Sequence, residues 1–509
     1  MKRDGQLDSI WQSEVKHYGE KPFVPGETFN VVVVGAGITG ITSALLLQKK
    51  GVNCILVEAS NMGFGTSGGT TAHLNNFFDI PYYQVIRDFG LDAAKLLAQG
   101  ANEAHHIIKD QINLYQIYCD YSIRNGYLFS LDDDQDQELQ QVMAGNKKVG
   151  IDTLETGVNP FGIPAVRVVE IPNQAQFHPL KYLRILLKEF INSGGTYIEN
   201  CRVTSVEEKD NRLVSNTTNG NLISDHLIYA THIPPGRNIM HFRNAPYRSY
   251  VMACKLKNSN YPEALGYDLS KPYHYYRFHT LDGEQLIIAG GEDHKTGDVD
   301  HTSESFERLG NYLRKHFDID EVSYKWSSQF YESADGLPYI GQLPGSPDHV
   351  YCATGYNGDG MILGTLAAKV LSDIITAGSS IYENLFLPAR VKPVAELGNI
   401  IKETGNVIKH FVVDKFAAEK IVGLAQLAND QGKVISYEGN KLAVYKDEQG
   451  RSHILKSDCT HLYCTVKWNE EEKSWDCPCH GSRFGKDGRV LNGPAVSPLE
   501  DMSNQHESR

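Results

Sequence analysis

The sequence predicts an α/β protein with an α+β region interleaved in it and a small all-β module at its C-terminal end. Three observations carry this expectation. Residues 30–58 pass from a β-branched run through a glycine-rich turn into a helical pattern and out into a second apolar strand, a βαβ unit. Near residue 350 the strand, glycine turn and helical pattern recur. Residues 433–450 alternate apolar and polar side chains around Glu438, Gly439 and Asn440, as a β-hairpin does. The chain has 509 residues, enough for about three domains at roughly 150 residues each.

Composition narrows the function classes. Lys and Arg number 49 against 62 Asp and Glu, a net charge of -13, and there is no basic run, so a nucleic-acid surface is not expected. The apolar runs at 31–34 and 44–47 end quickly in Gly or Gln, far short of the roughly 20 residues that span a bilayer, so no transmembrane helix is expected. The N-terminal stretch has charges but no apolar core before a small-residue cleavage site. The expected compartment is therefore the cytoplasm.

In the first unit Gly35, Gly37 and Gly40 fall at the G-x-G-x-x-G positions. Missing side chains there allow a tight turn, approach of a pyrophosphate to the backbone, and close helix–strand packing, with the helix N-terminus at Ile38 facing the anion. Glu58, followed by Ala59, closes the second strand 18 residues after Gly40, where a carboxylate accepts ribose hydroxyls. This Rossmann-like fingerprint serves nicotinamide and flavin dinucleotides alike. Residues 63–73, GFGTSGGTTAH, then offer Thr66, Ser67, Thr70 and Thr71 as donors to the rest of an extended dinucleotide. Strand patterns at 196–206 and 224–231 carry Val203, Ala230 and Thr231, and the late turn holds Gly355, Gly358, Gly360 and Met361.

With DGLPYIG at 335–341 and ATGYNGDGM at 353–361, the chain resembles the flavoprotein family of D-amino-acid oxidase, glycine oxidase and sarcosine oxidase over roughly residues 28–385. The resemblance implies FAD held by Gly35, Gly37, Ile38, Gly40, Glu58, Ala59, Thr66, Ser67, Thr70, Thr71, Ala230, Thr231, Gly355, Gly360 and Met361. It places backbone at Val203 around the adenine and the late turn near the flavin ring. Some dimethylglycine and sarcosine dehydrogenases of the family attach flavin to a His in the loop after the second strand; here that position is Gly69, with His73 nearby.

The family's substrate-covering domain corresponds to residues 81–165 and 240–330, interleaved with FAD-binding segments at about 28–80, 166–239 and 331–385. Its acidic LDDDQDQEL, residues 131–139, reads as a solvated helix start. Tyr250, Tyr275, Arg277, Asp293 and His294 are polar candidates for a pocket. In amino-acid oxidases of this type a strand Arg pairs with the substrate carboxylate. Arg277 is the first candidate and Arg248 the second, each with a structural salt bridge as the alternative. His178 reads as a helix-start or packing residue.

Nine cysteines are unevenly spread. Cys54, Cys119, Cys201, Cys254 and Cys352 stand singly, as buried thiols do, whereas Cys459, Cys464, Cys477 and Cys479 crowd into 21 residues. Cys459-x-His461 and Cys477-x-x-His480 supply two thiolates and two imidazoles, a set that suits structural zinc. The same motif, with an extra Cys in each loop and Gly481 after the last ligand, resembles the Rieske 2Fe-2S proteins, in which two Cys hold one iron and two His the other. That resemblance implies Cys459, Cys477, His461 and His480 as ligands, and a disulfide between Cys464 and Cys479. It also implies a covering loop at Gly493, Pro494 and Ala495. Tyr463 stands where the family usually has Gly. Phe484 stands where high-potential members have a Tyr, while Ser482 is kept, which implies an intermediate potential.

A helical linker is expected at 386–428, with Ile400, Ile401, Val407, Ile408, Phe411 and Val412 on one face, before a Rieske domain at 429–500. The tail from residue 500 reads as mobile. The implied function is an FAD-dependent oxidoreductase that oxidises a C–N bond of an amino acid or secondary amine. Electrons would pass singly through the cluster to an external acceptor, a dehydrogenase more than an oxidase. Reverse electron flow from a partner to FAD, and a non-enzymatic redox sensor, are the alternatives.

Overall fold

The computed structural model describes residues 5–12, 24–391, 419–420, 427–437 and 440–502. The linker face at 400–412, the turn residues Glu438 and Gly439, and the tail beyond residue 502 lie outside the described residues.

An eight-stranded sheet is built around strand β1 (Thr28–Val34), helix α1 (Ile38–Lys49) and strand β2 (Cys54–Val57). Six strands run in the order Tyr339–Gln342, Val350–Thr354, Gly220–Tyr229, β1, β2 and Thr196–Ile198, parallel except for the first, and Arg212–Thr217 and Val203–Lys209 are added antiparallel beside Gly220–Tyr229. β2 is buried along its whole length, and so are Val31 to Val34 of β1, as expected of parallel strands covered by helices on both faces. Helix Gly360–Ala377 packs against α1 and against helix Leu91–Leu114. Among the described residues it is the one helix long and apolar enough to cross a membrane, and most of it is core. The DGLPYIG motif closes this layer: Asp335 accepts both ends of the Arg390 guanidinium at 2.7 Å.

The second sheet has nine strands. It runs from Ile319–Ser333 through Asn244–Leu256, Glu284–Lys295, Tyr275–Leu281, Ala264–Asp268, Ser122–Ser130 and Arg167–Gln176 to His73–Leu74, and Leu154–Thr156 pairs beside Arg167–Gln176. The sequence reading places strands 167–176 and 73–74 with the FAD-binding segments; they pair instead into this sheet, because Ser122–Ser130 takes Arg167–Gln176 as its antiparallel partner. The acidic stretch starts helix Asp133–Val149, with Asp132 capping it by accepting Gln135 N–H. His178 caps helix Pro179–Asn192, accepting Lys181 N–H.

The C-terminal module is two small sheets, one holding Gln431–Tyr437, Asn440–Lys446 and Ser452–Lys456, the other Lys467–Asn469, Ser474–Asp476, Arg483–Gly485 and Val490–Asn492. It packs directly on the larger module. Ser327 Oγ donates to Glu472 Oε1 at 2.5 Å, Thr302 Oγ1 to Asn469 Oδ1 at 3.0 Å, and Gln329 Nε2 to the Gly481 carbonyl at 2.9 Å. The N-terminal segment bridges both modules: Gln6 N–H donates to the Glu472 carbonyl, and Trp11 Nε1 donates to the Thr70 carbonyl at 2.6 Å.

Candidate functional site

A cavity of about 310 Å³ lies between the two large sheets. Its first wall is the β1–α1 turn. Gly35 sits at φ +105°, and Gly37, the residue before α1, has no side chain with which to cap it; Gly37, Ile38 and Thr39 line the cavity. Ser67 Oγ accepts Ile38 N–H at 3.0 Å and fastens the 66–71 loop beneath this end. Glu58 accepts Ala36 N–H at 2.8 Å and Ser60 N–H at 2.9 Å. Burial raises its carboxyl, against the opposing pull of these N–H groups and of Arg202.

Of the residues expected to hold the dinucleotide, Gly35, Gly37, Ile38, Glu58, Ala59, Thr66, Ser67, Thr70, Thr71, Val203, Ala230, Thr231, Gly360 and Met361 all line this cavity. Gly40 and Gly355 do not. A Cβ on Gly40 would collide with the Gly35 carbonyl, so its role is the close approach of α1 to β1; Gly355, at φ +75°, packs on Asn244. A helix N-terminus that begins on a glycine, absent side chains and a carboxylate at the strand end fit a dinucleotide held mainly by backbone.

The substrate candidates are placed differently. Tyr275 and Asp293 line the cavity. Arg277 does not reach it: the guanidinium is buried, and its Nη1 donates to the carbonyls of Thr71 at 2.6 Å, Ala72 at 3.1 Å and Phe177 at 3.2 Å. Trp11 covers its face at 5.5 Å. Arg248 is equally buried, donating to Ser327 Oγ at 2.6 Å with Glu472 at 4.0 Å. Tyr250 pairs with His294 at 2.8 Å under Phe306, away from the cavity. Both arginines thus hold loops and modules in place, and the structural alternative applies to each. His73 lines the cavity; burial and Arg277 hold its imidazole well below the ordinary value, hence neutral.

Sequence reasoning missed Asn75, Asp79, Tyr267, Tyr273 and Asp359 as cavity residues. Only Asp359 carried a signal, its place in the late glycine turn. Trp11, which hydrogen-bonds the loop that carries Thr70, had none.

In the C-terminal module Cys459, His461, Cys477 and His480 converge, all buried. The Cys459 and Cys477 thiols adjoin each other, and the two imidazoles lie 5.1 Å apart. Nδ1 of both His461 and His480 is buried without a hydrogen-bond partner among the described residues. Two adjacent thiols and two orphaned imidazole nitrogens fit an iron–sulfur centre held by a pair of cysteines and a pair of histidines. Cys464 and Cys479 form a disulfide between the two loops. Tyr463 adopts φ +62°, the left-handed conformation that explains a glycine preference there.

The cluster loops meet the cavity. Val490, Leu491, Asn492, Gly493, Ala495 and Val496 line it, and Arg202 donates to the Val490 carbonyl at 3.3 Å. Tyr331 donates to the His480 carbonyl at 3.0 Å, with its ring 4.7 Å from that of the lining residue His232. The Gly236 carbonyl meets Nε2 of His461 at 3.0 Å, and His241 stacks edge-on to His461 at 4.5 Å.

Comparison with known proteins agrees with this arrangement. Residues 30–374 match the FAD dependent oxidoreductase family and residues 419–503 the Rieske [2Fe-2S] domain. The protein YhfW of Bacillus subtilis (strain 168) is 32% identical over 475 residues, covering 93% of each chain. Gamma-glutamylputrescine oxidoreductase of Escherichia coli (strain K12) is 26% identical over 369 residues, 68% of this chain and 84% of that one. The crystal structure of glycine oxidase from Geobacillus kaustophilus shares the fold, with a TM-score of 0.60 at 15% identity over 72% of this chain and 99% of that one. With its glycine-lined dinucleotide cavity and its centre of paired cysteines and histidines in one chain, the protein belongs to the FAD-dependent oxidoreductase family and carries a C-terminal Rieske domain, its cofactors being FAD and a 2Fe-2S cluster.

Proposed function

We propose that the protein is an amine or amino-acid dehydrogenase that oxidises a C–N bond and delivers the electrons one at a time to an external acceptor. The carrying observation is that loop residues 490–493, 495 and 496 of the Rieske module form one wall of the cavity that the glycine-rich β1–α1 turn also lines. When bound, FAD supplies the hydride acceptor and the cluster a one-electron carrier. The amine R–CH2–NH–R′ loses two electrons and two protons to become an imine, water hydrolyses the imine to an aldehyde and an amine, and two equivalents of a one-electron acceptor close the balance. The similarity to gamma-glutamylputrescine oxidoreductase and the glycine oxidase fold support a nitrogen-bearing substrate.

The chain's own part is positional. The β1–α1 turn and the 66–71 loop orient the dinucleotide, the two sheets exclude water, and neutral His73 offers a proton acceptor in the cavity wall. Cys459→Ser tests the reading in the purified holoprotein. Amine should still bleach the flavin in the variant, while turnover with a one-electron acceptor falls at least about 100-fold. A variant that turns over as fast as the wild type with that acceptor, or a wild type that returns every electron pair to oxygen as peroxide, would overturn it.

A further inference from the structure

The ionisable side chains that gather at the substrate end of the cavity are carboxyls. Asp79, Asp293 and Asp359 line it, contributed by the loop after strand His73–Leu74, by strand Glu284–Lys295 and by the turn before helix Gly360–Ala377. Among the described lining residues the single Lys or Arg is Arg202, which lies by Glu58 at the opposite end. The cation that acts on Asp293 is His274, already held between Asp268 at 2.8 Å and Glu292 at 3.5 Å. The arginines that would take a substrate carboxylate, Arg277 and Arg248, are spent elsewhere.

Two further observations are independent of the carboxylates. Tyr267, Tyr273 and Tyr275 line the same end, with the rings of Tyr273 and Tyr275 5.8 Å apart and His73 edge-on to Tyr267 and Tyr275 at 5.3 and 6.0 Å. Aromatic faces attract alkylammonium ions through the ring quadrupole. Asn75, only 8% exposed, lines the cavity with its Nδ2 donating to Tyr267 Oη, while its Oδ1 is buried without a partner among the described residues. An acceptor left open in a wall of aromatic rings and carboxylates is completed by a ligand that brings N–H donors and positive charge.

Resting on the amine-oxidation reading, we propose that this end of the cavity binds the substrate as an alkylammonium ion, so that the enzyme takes carboxylate-free amines in preference to α-amino acids. Asp79, Asp293 and Asp359 supply the counter-charge, the tyrosines the apolar cage, and Asn75 Oδ1 an acceptor. Burial raises all three carboxyls, that of Asp293 to about 8, and an arriving cation would relieve the cost of ionising them.

The test uses the oxidised holoprotein and probes that cannot be oxidised. Tetraethylammonium and, separately, acetate and benzoate are titrated at constant ionic strength, following the flavin absorption spectrum. Tetraethylammonium should bind at least about tenfold more tightly than either carboxylate, and Asp293→Asn or Asp359→Asn should weaken it about tenfold while the flavin spectrum is retained. Tighter binding of the carboxylates, or unchanged affinity in both variants, would overturn the proposal. A matched turnover pair, ornithine against 1,4-diaminobutane, separates it from the broader reading. A higher kcat/KM for ornithine leaves the dehydrogenase standing and removes the cation site. Ammonium binding without flavin reduction by any amine leaves the cation site and removes the dehydrogenase.

Discussion

The two ends of the cavity are built by different means. At the dinucleotide end the lining residues that the sequence spacing marks, Gly35, Gly37, Ile38 and Glu58, lie within one contiguous strand–turn–helix–strand. At the substrate end they are side chains, Asp79, Tyr267, Tyr273, Tyr275 and Asp293, drawn from a loop and several strands and brought together only when the nine-stranded sheet closes. Backbone recognition leaves a fixed spacing in the sequence. Side-chain recognition across a sheet leaves none.

The largest expected effect is at the dinucleotide end. Gly40→Val would drive a side chain into the Gly35 carbonyl, a main-chain atom that cannot swing aside, so the purified variant should carry no flavin. A yellow variant with full flavin content would show that the approach of α1 to β1 is looser than described. Arg277→Met probes the opposite end: three carbonyls would lose their donor, and the midpoint of urea unfolding should fall by the equivalent of about 2–5 kcal/mol. A variant of unchanged stability with a raised KM for amino acids would instead restore Arg277 as a substrate ligand.

Asp293→Asn is a smaller effect with a definite sign. Burial, the first cause, and repulsion from Asp79 and Glu332 push its carboxyl up to about 8, against Ser249 and His274, which pull it down. The unfolded value is about 3.9. Between these values the native chain holds a proton that the unfolded chain releases, so this group lowers stability as pH rises from about 4 to about 8. Asn carries no such penalty, and the Tm of the variant should gain on the wild type between pH 5 and pH 9. A pH-independent difference would contradict the account. The smallest effect belongs to the cluster: Phe484 is fully buried in the same apolar cluster as Cys459 and Cys477, so the added hydroxyl of Phe484→Tyr, a new donor there, should raise the cluster potential in a redox titration.

The same division explains what the sequence made legible. Gly35, Gly37 and Glu58 do line the cavity, and Cys459, His461, Cys477 and His480 do come together in the C-terminal module, because each set lies in short local segments whose geometry the residues themselves dictate. Arg277 and Arg248 looked like carboxylate ligands because Arg on a strand suits that task. Which face of the strand meets the cavity depends on pairing with Leu265 and Ile288 for one, and His294 and Gln329 for the other. Strands 73–74 and 167–176 depart from expectation for the same reason, since a strand's sheet is chosen by distant partners. The seating of the cluster on the FAD module, through Gly236, His241 and Tyr331, had no local signal at all.

The claim that ties both modules together is that electrons taken from an amine in the cavity reach the Rieske cluster of the same chain. A single anaerobic turnover, freeze-quenched after mixing the holoprotein with one equivalent of 1,4-diaminobutane, tests it most directly by following flavin absorbance and the EPR of the reduced cluster on one time axis. The account predicts that the cluster signal rises as the reduced flavin decays, at a rate independent of protein concentration. A fully reduced flavin beside a cluster that stays oxidised would contradict it.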